Sequence, residues 1–260
     1  MGRSRFGPHM SSPADPRTIW NSDPQNSELR TQMTLDRTPE ALPSVELRTG
    51  VVPVVLEGRF VRLEPLCLEY AESIADAASG PRDTYGWTWV PDGLAETERY
   101  VRTILDEQAS GRGLPFATVS RNSGAVVGVT RFLNIEYWAW PEGNANQRGI
   151  NRPDAVEIGG TWLSASAQRT SINTEAKLLM LRHAFETWRV HRVRLMTDSR
   201  NARSRAAIER IGGRLDGILR AHTPGADGAI RDSAVYSLVE AEWPAVRAKL
   251  ERRLDGTAQA

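Results

Sequence analysis

The chain has 260 residues, 40% hydrophobic and 25% charged, which excludes collagen-like and wholly disordered classes and suits one domain with an appendage, or two small domains. Bases and acids balance to a net charge of +1, so no broad field drives the protein onto nucleic acid or an anionic membrane. The single cysteine, Cys67, excludes an intramolecular disulfide framework and any multi-cysteine metal site, and no apolar run reaches the roughly 18 residues of a membrane helix. A cytoplasmic protein without a membrane anchor is expected.

Residues 1–50 hold six of the 15 prolines, and their Leu, Ile and Val residues follow no period. Such a segment buries too little apolar surface to offset its ordering entropy, so a disordered or loosely docked tail is expected there. From residue 51 short apolar runs begin. Residues 60–65 alternate as a strand, and Leu66, Tyr70, Ile74 and Ala77 then share a helical face that Ser79-Gly80-Pro81 ends. Tyr100, Val101, Ile104, Leu105 and Gln108 mark a second helix. Strands at 116–120 and 125–134 flank Asn122-Ser123-Gly124, a hairpin signal.

A polar loop at 141–154 leads to a strand at 156–163. The strongest helix follows at 174–188, with Ala176, Leu179, Met180, His183, Ala184 and Phe185 on its inner face. A strand at 192–197, a helix at 202–211, strands at 215–219 and 234–239 and a helix at 242–254 complete the order β-α-α-β-β-β-α-β-α-β-β-α. Hairpin neighbours predominate, so the fold class is α/β with a mixed sheet carrying packed helices, and not a doubly wound parallel sheet.

The sequence has no phosphate loop of the G-x-x-x-x-G-K-[ST] type, no G-x-S-x-G elbow and no H-E-x-x-H. The four histidines are scattered, and His183 reads as a core histidine. No metal site is expected. One turn stands apart: Gln168-Arg169-Thr170-Ser171-Ile172-Asn173-Thr174-Glu175 joins a strand to the strongest helix, with Asn173 and Thr174 as candidate caps. Backbone N–H groups at such a start bind anions, and Arg169 adds a charged donor, but from these residues alone a plain capped helix with a surface arginine is the favoured reading.

Together with Glu157-Ile-Gly-Gly-Thr-Trp-Leu163, Asn201-Ala-Arg-Ser-Arg-Ala-Ala-Ile-Glu-Arg-Ile-Gly212 and Arg231-Asp-Ser-Ala-Val-Tyr-Ser237, this turn resembles the GNAT (Gcn5-related) N-acetyltransferases. The branch it resembles is that of the ribosomal-protein N-terminal acetyltransferases. The likeness spans roughly residues 55–245. It implies a twisted, mostly antiparallel central sheet flanked by helices, a domain at 51–254 and a short tail at 255–260. The family's turn carries two glycines where this chain has Ser171 and Asn173, so the cradle is expected to differ in shape.

The resemblance implies acetyl-CoA as co-substrate and direct attack by a primary amine, on a protein N-terminus or a small molecule. The alternative is a GNAT-shaped acyl-CoA-binding module without catalysis. The cofactor set it implies is Ile158, Gly159, Trp162, Leu163, Gln168, Arg169, Thr170, Ser171, Ile172, Asn173, Thr174, Asn201 and Arg203. Ser204 is the implied general acid, with capping as its structural counterpart and Tyr236 as the next hydroxyl. Glu157 is the implied base, Glu136 its competitor, and the backbone at Ile158–Gly160 the oxyanion donor. Cys67 reads as a packing residue. Trp87, Trp89, Trp138 and Trp140, with Glu136, are candidates to line the acceptor cleft, or else core or dimer-contact residues. Monomer and homodimer both remain open.

Overall fold

The computed structural model describes residues 50–257, which all fall in the unit Glu46–Ala260; the expectation for residues 1–49 lies outside the described residues. Eight strands form one sheet: β1 (Leu56–Glu57), β2 (Val61–Pro65), β3 (Gly113–Ser120), β4 (Val126–Glu136), β5 (Ala155–Leu163), β6 (Arg192–Asp198), β7 (Arg214–Pro224) and β8 (Ile230–Val239). Their spatial order is β1-β2-β3-β4-β5-β6-β8-β7, and only β5–β6 is parallel. Five helices pack on it: α1 (Ala71–Ala78), α2 (Leu94–Ala109), α3 (Ser171–Arg182), α4 (Ala202–Arg210) and α5 (Trp243–Thr257). The mixed, mostly antiparallel sheet agrees with the sequence reading.

The differences have local causes. β1, only two residues long, is too short to show a period. α2 starts at Leu94, ahead of Tyr100, because its first turn, Leu94-Ala-Glu-Thr97, is too polar to mark an apolar face. The β7–β8 hairpin runs from Arg214 to Val239, longer than its apolar ends suggest, since β7 is almost wholly exposed. α5 continues to Thr257, into the segment expected to be a tail; buried Leu250 and Leu254 carry its apolar stripe that far.

Each sheet face has its own core. Val61, Leu63, Phe116, Phe132, Val156 and Ile158 pack against α3 and α5, while Ala117, Val129 and Trp162 pack against Ile74, Val101 and Ile104 of α1 and α2. α3 is buried on every side from Thr174 to Leu181, including two ionisable residues, Glu175 and Lys177. Glu175 accepts hydrogen bonds from the backbone N–H groups of Arg59, Phe60 and Val61 at 2.8, 2.5 and 2.9 Å, which joins the entry to β2 to the helix. Three donors on one carboxylate meet the need of a buried charge for partners. After Arg182 the helix relaxes into a π-helical segment, His183–Trp188, and ends at Arg189 with φ +60°.

Candidate active site

The site is built on β5. Val156 and Ile158 enter the α3–α5 core and Trp162 the opposite one. Between them lies a bulge: the β4–β5 register shifts between Val129 and Arg131, and Gly160 has φ +55°. Gly159 and Gly160 both present their missing Cβ to the α2 face. A Cβ on Gly159 would lie 3.0 Å from Leu133 Cδ2, and one on Gly160 2.7 Å from Arg131 Nε. The positive φ and the crowding both call for glycine at Gly160.

Beyond this point the sheet opens. The parallel ladder pairs Ala155 with Arg192, Val156 with Val193 and Glu157 with Arg194, and stops. β5 stays on β4 as far as Leu163, and β6 stays on β8 as far as Asp198. The two strands therefore part after Glu157, leaving facing backbone edges with donors and acceptors to offer. The side chains of Ile158 and Trp162 are core, and Leu163 packs with Val127 and Ala167, so their contribution to the opening is backbone.

At the wide end, Arg203 of α4 reaches across. It donates to Gln168 Oε1 at 3.3 Å and to the Thr84 carbonyl at 2.7 Å, while Gln168 Nε2 donates to the Leu163 carbonyl at 3.0 Å. The α3 start lies beside this bridge. Its cap is Thr170, whose Oγ1 accepts from Ile172 N–H, which corrects the assignment of capping to Asn173 and Thr174. The left-handed residue is Arg169, at φ +61°. Ser171, Ile172, Asn173 and Thr174 are all helical, so the missing glycines impose no demand for positive φ. A pocket of about 150 Å³ opens there, lined by Arg169, Thr170, Ser171, Thr174, Arg253 and Leu254. Arg253, from the far end of the chain, escaped the sequence reading because only the antiparallel packing of α5 on α3 brings it there.

At the parting of the strands Glu157 is buried (6% exposed). Its Oε2 accepts from Arg194 Nε at 2.8 Å and from Asn134 Nδ2 at 3.0 Å, while Oε1 faces Gly159. Arg194 also lies 3.7 Å from Glu136, so one guanidinium joins both candidate bases. Asn201 caps α4, its Oδ1 accepting from the Ser204 N–H at 3.0 Å; the Ser204 hydroxyl has no part in the cap. The Tyr236 hydroxyl accepts from Arg205 Nε and donates to Glu209 Oε1, both on α4, which ties it to that helix.

Cys67 is half-buried, and burial with the neighbouring Glu69 pushes its thiol above the ordinary range, opposite to what a nucleophile needs. His183 packs against Trp188 and Phe132, and burial lowers its pKa. Among the described residues no cluster of His, Cys, Asp or Glu has a metal-binding arrangement, and no helix is long and apolar enough to cross a membrane.

The four tryptophans do not form one group. Trp138 and Trp140 contact His191, and Asp154 accepts from Trp138 N–H and Trp140 Nε1, which anchors both just before β5 and β6 begin. Trp87 lies under the Arg200 guanidinium at 4.1 Å, just after β6 ends, and the exposed Trp89 rests on Tyr100. The pairs thus mark opposite ends of the β5–β6 unit.

A mixed sheet whose one parallel pair parts beside a capped helix start, with a carboxylate at the parting, presents a cleft with unpaired backbone along one side. Comparison with known proteins makes this specific. The acetyltransferase (GNAT) domain family matches residues 61–214, and the chain belongs to that family. A GCN5-related N-acetyltransferase from Brucella melitensis is 28% identical, with a TM-score of 0.64 over 78% of this chain and 86% of its own. Mycobacterium smegmatis RimJ in complex with CoA-disulfide shares the fold at 22% identity and a TM-score of 0.61, over 77% of this chain and 92% of its own. The ribosomal-protein-S5-alanine acetyltransferase from Vibrio fischeri shares it at 16% identity and 0.57, over 73% and 98%. No protein of curated function matches the chain significantly.

Proposed function

We propose that the protein is an acetyl-CoA-dependent N-acetyltransferase that acetylates a primary amine, of a protein N-terminus or a small molecule, by direct attack. The observation that carries this reading is the parting of β5 from β6 at Glu157 and Arg194, with the α3 start and its two arginines at the open end. The residues fit the co-substrate. The α3 start with its dipole, together with Arg169 and Arg253, suits a pyrophosphate, and the unpaired β5 edge suits an amide-bearing pantetheine arm. Trp87 and Trp89, or Trp138 with Glu136, line the approach of the acceptor.

The chemistry needs a neutral amine, donors for the oxyanion and a proton for the departing thiolate. Glu157 Oε1, the oxygen not held by Arg194, takes the amine proton. The bulge at Gly159–Gly160 supplies a backbone donor to the oxyanion, the Ser204 hydroxyl gives a proton to the thiolate and is reprotonated by water, and Glu157 releases the amine proton to solvent. The test is thiol release from acetyl-CoA over a panel of peptides and small amines, beside a calorimetric titration with acetyl-CoA. Turnover on at least one amine is expected. Tight binding with no turnover on any amine would make the chain a binding module instead.

A further inference from the structure

Lys177 is a buried side chain near this site that ordinary packing does not explain. It sits mid-way along α3, 5% exposed, with no carboxylate in ion-pair range among the described residues. Its Nζ donates to Thr161 Oγ1 on β5 at 2.6 Å and to Thr130 Oγ1 on β4 at 3.0 Å. The two hydroxyls lie 2.7 Å apart, and Thr161 Oγ1 donates to the carbonyl of Gly159 at 3.3 Å. Only Met180 Sδ, 3.6 Å from Thr130, adds a further polar contact.

The donors run one way. Lys177 gives N–H bonds to both threonines; with the Thr161 proton on the Gly159 carbonyl, the bond between the two hydroxyls takes its proton from Thr130 in place of the longer contact to Met180. The network needs two N–H groups from Lys177, so a neutral amine satisfies it; burial pushes this lysine down to about 7. The chain of bonds ends on the bulge. In a trans peptide the C=O and N–H point in opposite directions, so the bond that holds the Gly159 carbonyl toward α3 also turns the Gly160 N–H away from it.

We propose that Lys177 is a positioning residue for acetyl transfer: acting through Thr161 from behind the sheet, it fixes the Gly159–Gly160 peptide whose N–H serves the oxyanion. This rests on the acetyltransferase reading above. A desolvated amine without a counter-ion is costly, and Met of similar length would fill the same space, so packing alone gives no reason for lysine.

The test uses Lys177→Met, Thr161→Val and the double variant in the full chain. Each should melt no lower than wild type by more than a few degrees and bind CoA within about threefold. Misdirecting one oxyanion donor should lower kcat by about 10- to 100-fold, with little change in the KM for acetyl-CoA. Because both side chains act along one path, the double variant should be no worse than the worse single one. Amide exchange at residues 159–161 should quicken in both single variants. Unchanged kcat in the folded variants, unaltered exchange at the bulge, or a loss of CoA affinity matching the loss of rate would each overturn the proposal. If Lys177→Met fails to fold, Thr161→Val, which exchanges only a hydroxyl for a methyl, decides alone. A wild-type enzyme that acetylates no amine refutes the acetyltransferase reading instead, and the exchange measurement still decides whether Lys177 holds the bulge.

Discussion

Glu157 and Arg194 form the last rung of the β5–β6 ladder, and their side chains meet in a 2.8 Å ion pair where the strands separate. The pair closes the narrow end of the cleft. One carboxylate oxygen is held by Arg194 and Asn134, and the other faces the glycine bulge. A carboxylate arranged in this way is aimed, because it cannot rotate without breaking both bonds.

Glu157→Gln keeps the size and one acceptor oxygen but cannot take a proton. Turnover at pH 7 should fall by about 10²–10⁴ if Glu157 is the base. The defect should shrink as pH rises and the amine deprotonates unaided. A pH profile of kcat/KM measures this, and a defect constant from pH 7 to 9.5 would leave Glu157 as a strut for Arg194 only.

Ser204 and Asn201 divide two roles that the sequence could not separate. Asn201 makes the cap, so Asn201→Ala should cost about 1 kcal/mol of stability. Ser204→Ala removes a hydroxyl that caps nothing and should leave the melting temperature unchanged. A fall in kcat of about 10²–10⁴ with an intact fold identifies the acid. Normal turnover would leave water to return the proton, since the Tyr236 hydroxyl is engaged by α4.

The α3 start gives a binding prediction. Ser171→Glu places an anion in the first turn beside Arg169 and Arg253, where it should abolish CoA binding by calorimetry. Arg253→Ala should weaken CoA by about tenfold and reduce the salt dependence of binding, as loss of one charge-assisted contact requires. Unchanged affinity in both variants would move the pyrophosphate away from this pocket.

How much of this was legible in the sequence depends on whether a signal is local. The Val156–Leu163 run announced a strand, but the bulge at Gly159-Gly160 within it went unread, although glycines inside a strand are its local signal. The cap was misplaced because Thr170, Asn173 and Thr174 all suit the role, and only the left-handed turn at Arg169 selects the first. The stop of the parallel ladder has no local signature, since it is a divergence between two strands 37 residues apart in Glu157 and Arg194. Arg253 and the Lys177 network are equally hidden. A lysine on an apolar helix reads as a side chain reaching for solvent, and the two threonines that hold it lie on different strands.

Lys177 also sets a pH dependence of stability with a definite sign. Its pKa is about 7 in the fold and near 10.4 in an unfolded chain. Below pH 7 the ammonium is charged in both states, and its desolvation cost is borne in full by the fold. Between about pH 7 and 10.4 the unfolded chain binds more protons, so this residue's contribution to stability rises with pH. Lys177→Met has no such group and escapes the cost at every pH. The variant should therefore be more stable than wild type by a few kcal/mol at pH 6.5, in the order of magnitude such a displacement carries. The difference should narrow steadily toward pH 10. Comparing the variant with wild type cancels the titration of every other residue, so urea melts of the two proteins at matched pH isolate the term. A difference that stays flat from pH 6.5 to 10 would show that Lys177 keeps its ordinary pKa in the fold, and with it a charged network behind the bulge.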